Sequence, residues 1–283
     1  MKIAISGTTG FIGRSLSSSI KNRNWIIEPL SRNDFHDEAK LIEKINGADA
    51  VIHLAGAPIL KRWTRSYQQE MYNSRVITTR KLADAIRNCR DRPGLFISTS
   101  ASGIVKSGCM INEKGIDFDS GFIGSLCKDW EAAALDVQDI ARVIVFRLSV
   151  VLDSHEGALH KMLWAFNLGL GGPLGNGMQL FSWIHRTDLV NAYHHVMTNE
   201  SVHGIVHLGS PVIVTNREYA KTLGRVLGKP AVIPIPAVLL KLVYGEAASV
   251  LTEGQGILPE KLLTSGFIFQ FPRLEDALKD LLA

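Results

Sequence analysis

Cysteine is scarce in this chain. Its three thiols, Cys89, Cys109 and Cys127, form no C-x-x-C pair and no spacing that would collect a metal. A sparse, odd set excludes a disulfide scaffold and points to reduced thiols in a cytoplasm. Charge of one sign is also lacking. Lys and Arg number 31 against 27 Asp and Glu, a formal +4, with no basic block beyond short groups such as Lys61-Arg62. Such a balance does not suggest nucleic acid binding. No apolar run reads as a membrane span: the most apolar late stretch, Val232 to Leu251, is broken by Pro234, Pro236, Lys241 and Glu246. No secretory leader is expected, because a glycine motif begins at residue 7. Internal repeats and low-complexity segments are lacking as well.

What is present is an ordinary globular composition, 46% hydrophobic over 283 residues. That is enough for a large core and for a main domain with a smaller one. Met1 to Ser6 reads as a buried strand running into Gly7-Thr8-Thr9-Gly10-Phe11-Ile12-Gly13, and then into a helical pattern. Strand, glycine turn and helix in that order make a dinucleotide pyrophosphate site. Gly7 permits the tight turn, Gly10 clears the approach of the pyrophosphate, and Gly13 lets the helix pack on the strand.

Short apolar runs then alternate with helical patterns. Strands are predicted at 2–6, 25–30, 50–54, 95–99, 143–148 and 205–208, and helices at 11–21, 66–88 and 126–139. The implied fold is α/β, a Rossmann doubly wound parallel sheet with a small C-terminal α+β lobe. Residues 1–152, completed by about 184–210, are expected to form the dinucleotide-binding domain. Residues 153–183 and 211–283 are expected to form the substrate lobe. The stretch from Gly169 to Gly177 is either a lid hinged by its glycines or a rigid surface turn.

The second strand ends Leu30-Ser31-Arg32-Asn33, with no acid at its tip. An acid there would bind the adenosine ribose and repel a 2′-phosphate. Arg32 can instead fork onto a phosphate and Ser31 can donate to it, which favours NADP(H) over NAD(H).

These motifs, with Ala48-Asp-Ala-Val-Ile-His-Leu-Ala-Gly56, resemble the extended short-chain dehydrogenase/reductases of the nucleotide-sugar epimerase type. Five segments are similar to an atypical NAD(P)-dependent epimerase-like subfamily: Leu54–Ile59, Arg62-Trp63-Thr64, Asn73-Ser74-Arg75, Cys127–Glu131, and Gly171–Gln179 with Ser182–His185. The tail from Pro234 through Gly245-Glu-Ala247 to Phe267 resembles that subfamily's small C-terminal domain. The resemblance implies that Gly7, Thr9, Gly10, Phe11, Ile12 and Gly13 hold the pyrophosphate. It implies that Leu54, Ala55 and Gly56 pass under the adenosine side. Arg147 to Val150, with Ser149 and Val150 at its end, would approach the nicotinamide. It also suggests a homodimer through helices 66–88 and 126–139.

Typical members of this class use a Ser or Thr, a Tyr, and a Lys four residues after the Tyr. The Tyr exchanges the proton; the Lys lowers its pKa and binds ribose hydroxyls. Ser100 takes the Ser position, as a polarising hydroxyl or merely as the close of a strand. The Tyr-Lys pair is absent: none of the five tyrosines has a lysine four residues on. Ile123 takes the Tyr place and Cys127 the Lys place, while Lys128 points roughly 100° away. Two replacements come into view, His185 as an acid/base or a turn brace, and Cys127 as a thiol acid/base or core packing. Arg75, where the broader class often has Asn, with Arg62 and Trp63 either lines a pocket for an anionic or carbonyl-bearing substrate or lies on a helix surface. Gln179 and Trp183 would follow at the pocket rim. No metal is implied. The expectation is an NADP(H)-dependent oxidoreductase or epimerase acting on a small carbonyl or sugar-like substrate. The alternative is an NADPH-binding sensor.

Overall fold

The computed structural model describes residues 1–115 and 117–283. Six strands build its central sheet: β1 (Lys2–Ser6), β2 (Ile26–Leu30), β3 (Ala50–His53), β4 (Leu95–Ala101), β5 (Arg142–Leu148) and β6 (Gly204–Leu208). All pair in parallel, in the order β6-β5-β4-β3-β1-β2. The inner strands are buried on both faces, so Ala50 to His53 carries no polar alternation. Pro29 is tolerated because β2 is an edge strand. The chain crosses from β2 over β1 to β3, and this reversal opens a crevice at the carboxyl ends of β1 and β3.

Of the helices α1 (Phe11–Lys21), α2 (Glu38–Ile45), α3 (Arg65–Tyr72), α4 (Thr78–Asn88), α5 (Phe122–Leu135), α6 (Gly157–Asn167), α7 (Arg186–Thr198), α8 (Asn216–Leu227) and α9 (Ala237–Tyr244), α1 and α7 cover one face of the sheet and α2, α4 and α5 the other. Leu16, Ile20, Leu189 and Tyr193 fill one face of the sheet with Ile3, Ile52 and Phe146. Leu41, Ile45, Leu82, Ile86 and Ala134 fill the other. A third core joins Leu159, Trp183, Tyr219, Leu223 and Leu278 beneath the carboxyl edge of the sheet.

The helix predicted over 66–88 is not uniform. A π turn at Asn73–Ile77 separates α3 from α4. The Thr78 and Thr79 hydroxyls donate back to the Arg75 carbonyl at 3.1 and 2.6 Å, and Thr78 also to Ser74 O at 2.7 Å. Such back-bonding competes with the helical ladder and swells the turn. Helix α5 starts a turn earlier than its periodicity indicates and stops at Leu135. The glycine-rich stretch is tied down: Ile233 N bonds Gly171 O, Ile235 N bonds Pro173 O, and Gly175 N bonds Ile235 O. A Cβ on Gly172 would lie 2.0 Å from Ile233 O, so close backbone packing is what its missing side chain serves. This is a braced turn rather than a hinged lid. Among the described residues neither α4 nor α5 carries a large exposed apolar side chain, so no apolar face there supports the dimer contact that the resemblance suggests.

Candidate functional site

Helix α1 begins at Gly10 with no side-chain cap and no acid in its first turn, so its leading N–H groups face outward. The three glycines serve different ends. Gly7 has φ +80°, and a Cβ on it would lie 2.9 Å from Ala55 N and Leu54 C. A Cβ on Gly13 would lie 2.1 Å from Gly7 O. Gly7 is demanded by packing of the turn on Leu54-Ala55, and Gly13 by packing of the helix on the Gly7-Thr8 backbone. Gly10 is not: it has ordinary extended backbone, is exposed, and a Cβ there would meet only Gly7 O at 3.3 Å. Its missing side chain keeps the helix start clear of all but that one backbone oxygen, on the side where an anion would sit. Thr9, Phe11 and Ile12 flank Gly10 in the chain, Leu54 and Ala55 after β3 lie against Gly7, and Gly56 faces the Arg75 guanidinium.

At the tip of β2, Arg32 is exposed and pairs with no carboxylate among the described residues. Ser31 is occupied: its Oγ and N both donate to Asp34 Oδ2 at 2.7 Å. Asp34 is buried, with Lys40 and Lys44 on its oxygens at 3.2 and 3.0 Å. Burial pushes its carboxyl up, but the bonds from Ser31, Lys44 and Lys40 outweigh this and hold it below the usual carboxylate range. The nearest acid to the strand tip is therefore neutralised from within. The charge left facing outward is Arg32.

At the ends of β4 and β5 lies a buried polar chain. Ser100 Oγ donates to Glu131 Oε1 at 2.7 Å. Arg147 grips the same carboxylate with two parallel bonds of 2.9 Å, Nε to Oε1 and Nη2 to Oε2. Its Nη1 faces His207 Nε2 at 3.5 Å, and His207 Nδ1 donates to Leu258 O at 3.1 Å. Burial, then the neighbouring Arg147, pulls His207 down to about 3, so its ring is neutral. Ser100 is thus placed differently from the expected polarising group. A hydroxyl has one proton, and this one is committed to Glu131, which leaves Ser100 Oγ as an acceptor. In the sequence Arg147 figures only as the start of the segment toward the nicotinamide and Glu131 only as the end of the segment Cys127–Glu131, and nothing marks His207. Four residues after Cys127, Glu131 shares its helical face, which is the signal that could have linked it to the site.

Cys127 is buried beside Ser100 and the Ala101 backbone. Burial, with Glu131 adding, pushes its thiol up to about 12, which favours the protonated thiol near neutrality. Ile123 packs on Ile104 and Val105 and closes over Gly103, giving apolar surface where a tyrosine would stand. Lys128 is exposed, as its helical position requires.

Arg75 is drawn inward by the π turn. Its Nη2 donates to Ala57 O at 2.7 Å, its Cζ lies 5.3 Å from the Trp130 ring centre, and its Nη1 is buried with no partner. Across the same turn His53 meets Ser6 Oγ at 2.5 Å and Thr78 Oγ1 at 3.3 Å. Burial, then the Arg75 charge, brings His53 down to about 3. Arg62 and Trp63 stay on the loop before α3, Arg62 donating to Leu242 O at 3.1 Å and Trp63 to Ile59 O at 3.0 Å.

Three expected site residues belong to the scaffold instead. Trp183 is wholly buried, its indole N–H donating to Val212 O at 3.0 Å, and so is core rather than rim. The Gln179 amide braces Leu174 O and Leu251 O at 3.1 and 3.0 Å. His185 caps α7, accepting at Nδ1 from Thr187 N at 3.0 Å, while its Nε2 lies 3.2 Å from Asp280 and its ring lies on Phe271. Asp188, in the first turn of α7, accepts from Gln270 N and Phe271 N. Ser149 holds Leu208 O at 2.9 Å, and Val150 pairs with Trp183, which fixes the segment after β5.

Comparison with known proteins agrees with this geometry. The model of the NAD dependent epimerase/dehydratase family matches residues 3–116, and that of a domain of unknown function, DUF1731, matches residues 235–281. The human epimerase family protein SDR39U1 is 36% identical, with 100% of both chains covered. The Arabidopsis thaliana chloroplastic homologue of SDR39U1 is 35% identical over 99% of this chain and 86% of its own. The crystal structure of human SDR39U1 isoform 2 with NADPH superposes with a TM-score of 0.93 at 34% identity, covering 99% of each chain. With likeness running through both the dinucleotide-binding sheet and the C-terminal segment, this chain belongs to the SDR39U1 epimerase family.

Proposed function

We propose that this protein is an NADP(H)-dependent oxidoreductase or epimerase whose substrate is a small, hydroxyl-bearing carbonyl or sugar-like molecule. The observation that carries the reading is the uncapped, acid-free helix start at exposed Gly10, where a side chain would meet a single backbone oxygen. The unpaired Arg32 at the tip of β2 supports the 2′-phosphorylated cofactor, and so does the human relative crystallised with NADPH. Bound NADP(H) would give or take the hydride. Residues 1–152 would carry it, and residues 153–183 and 211–283 would close over the substrate. The three free cysteines support a cytoplasmic setting.

Ser100 then recognises a hydroxyl better than a carbonyl. With its proton on Glu131 it offers lone pairs, and a substrate O–H donates into them. Arg147 fixes Glu131, so the acceptor is held in place before substrate arrives. A second reading has its own support. Ile123 is apolar and the Cys127 thiol stays protonated, so the face of α5 that would carry the Tyr-Lys pair offers no group for proton exchange near neutrality. An NADPH-binding sensor would look the same.

Calorimetry with NADPH and NADH, followed by NADPH absorbance in the presence of carbonyl and sugar compounds, tests both readings. NADPH should bind at least tenfold more tightly than NADH, and Arg32→Ala should remove the difference. Consumption of NADPH by any panel member supports the enzyme. Tight binding with NADPH unspent throughout supports the sensor, and binding of neither nucleotide refutes both.

A further inference from the structure

The Lys place on α5 is filled by Cys127, yet the site is not without a cation. The π turn Asn73–Ile77 swings Arg75 under the loop that follows β3 and over Trp130, one turn beyond Cys127 on α5. Gly56 makes the room: a Cβ there would lie 3.2 Å from the guanidinium carbon. Arg75 is only 6% exposed, and no carboxylate pairs with it among the described residues. The buried carboxylate nearby, Glu131, is occupied by Arg147 on both oxygens. Of the Arg75 donors, Nη2 serves Ala57 O, while Nη1 is buried and unpartnered. A charge buried without a counter-ion is costly, and it is retained where a ligand completes its bonds.

We propose that Arg75 replaces the missing lysine from a different helix, its unused N–H groups binding the hydroxyls of the nicotinamide-side ribose of NADP(H). A guanidinium suits a vicinal diol because its parallel N–H bonds lie in one plane. It differs from a lysine in never giving up its proton, so Arg75 is a binding and charge-supplying group and exchanges no proton with substrate. The π turn is what makes the exchange of helices work, because the extra residue redirects a side chain that an unbroken helix would aim elsewhere.

The inference rests on the cofactor reading above, and its test separates the two. Calorimetry compares NADPH with 2′,5′-ADP, which keeps the phosphorylated adenosine half and lacks the nicotinamide ribose. Arg75→Gln should weaken NADPH by about tenfold or more and leave 2′,5′-ADP within about twofold of the wild type, with Arg75→Lys recovering part of the loss. Binding of 2′,5′-ADP is the internal control for folding. Should Arg75→Gln fail to fold, Arg75→Lys, which keeps the charge and loses the fork, is read on the same two ligands. Equal losses on both ligands, or no loss on NADPH, overturn the assignment. A loss confined to turnover moves Arg75 to the substrate and overturns it too. If wild-type protein binds neither ligand, the cofactor reading itself has failed.

Discussion

Removing Glu131 probes the buried chain that joins β4, α5 and β5. Glu131→Ala strips Ser100 of its acceptor and leaves Arg147, only 3% exposed, as an uncompensated charge. Breaking a buried pair from one side costs about 3–5 kcal/mol. An exposed pair is worth about 0–1 kcal/mol, so the two cases are well separated. At about 2 °C per kcal/mol for a chain of this size, the melting midpoint should fall by roughly 6–10 °C. Differential scanning calorimetry and urea titration both read it. The double variant Glu131→Leu, Arg147→Met removes both charges and should regain most of the loss. Arg87→Ala, at the exposed contact with Asp136 and Asp139, should leave the midpoint almost unmoved. A Glu131→Ala midpoint within about 2 °C of the wild type would refute the claim that this pair is dry and mutually dependent.

Acid should destabilise the fold early. His53 and His207 are held neutral down to about 3 by burial and by the neighbouring Arg75 and Arg147, against an ordinary value of 6.5. Below pH 6.5 the unfolded chain takes up a proton at each that the folded chain refuses. Their contribution is therefore full above 6.5 and is lost toward pH 3, by roughly 1.4 kcal/mol per pH unit for each. Urea midpoints at pH 7.5 and 5.5 measure it, and His207→Gln should flatten the slope; an unchanged slope removes His207 from the account. Gly10→Ala should shift the melting midpoint little while weakening NADPH about tenfold or more. Gly13→Ala should lower the midpoint clearly, since its Cβ would meet Gly7 O at 2.1 Å. The same thermal effect from both changes would contradict the division of roles drawn between these glycines.

The glycine cradle was legible because the turn, the close approach and the helix start each demand a residue without a side chain within seven positions. The place of Arg32, exposed at the tip of β2, was legible because the apolar run of the second strand fixes where that strand ends. His185 stayed open between acid/base and turn brace, and Trp183 was expected at the rim, for one reason: a His or Trp at the end of a short strand looks alike in sequence whether it faces a cleft or a neighbouring helix. Here Asp280 and Phe271 cover the histidine, and Val212 takes the indole proton. Ser100 kept its position and changed its role, because its partner lies 31 residues away on α5.

Local order in the chain determined the parallel sheet, the course of α1 and the cofactor edge, since strand burial, helical spacing and turn chemistry act over a few residues. The missing Tyr-Lys pair was equally plain, being a matter of spacing alone. Only the tertiary structure decided where charges meet. Glu131 finds Arg147 and Ser100, and Arg75 comes to lie beside α5, through contacts between segments far apart in the chain. No periodicity encodes such meetings, because a hydrogen bond depends on atoms a few ångströms apart in space and not on their distance along the sequence.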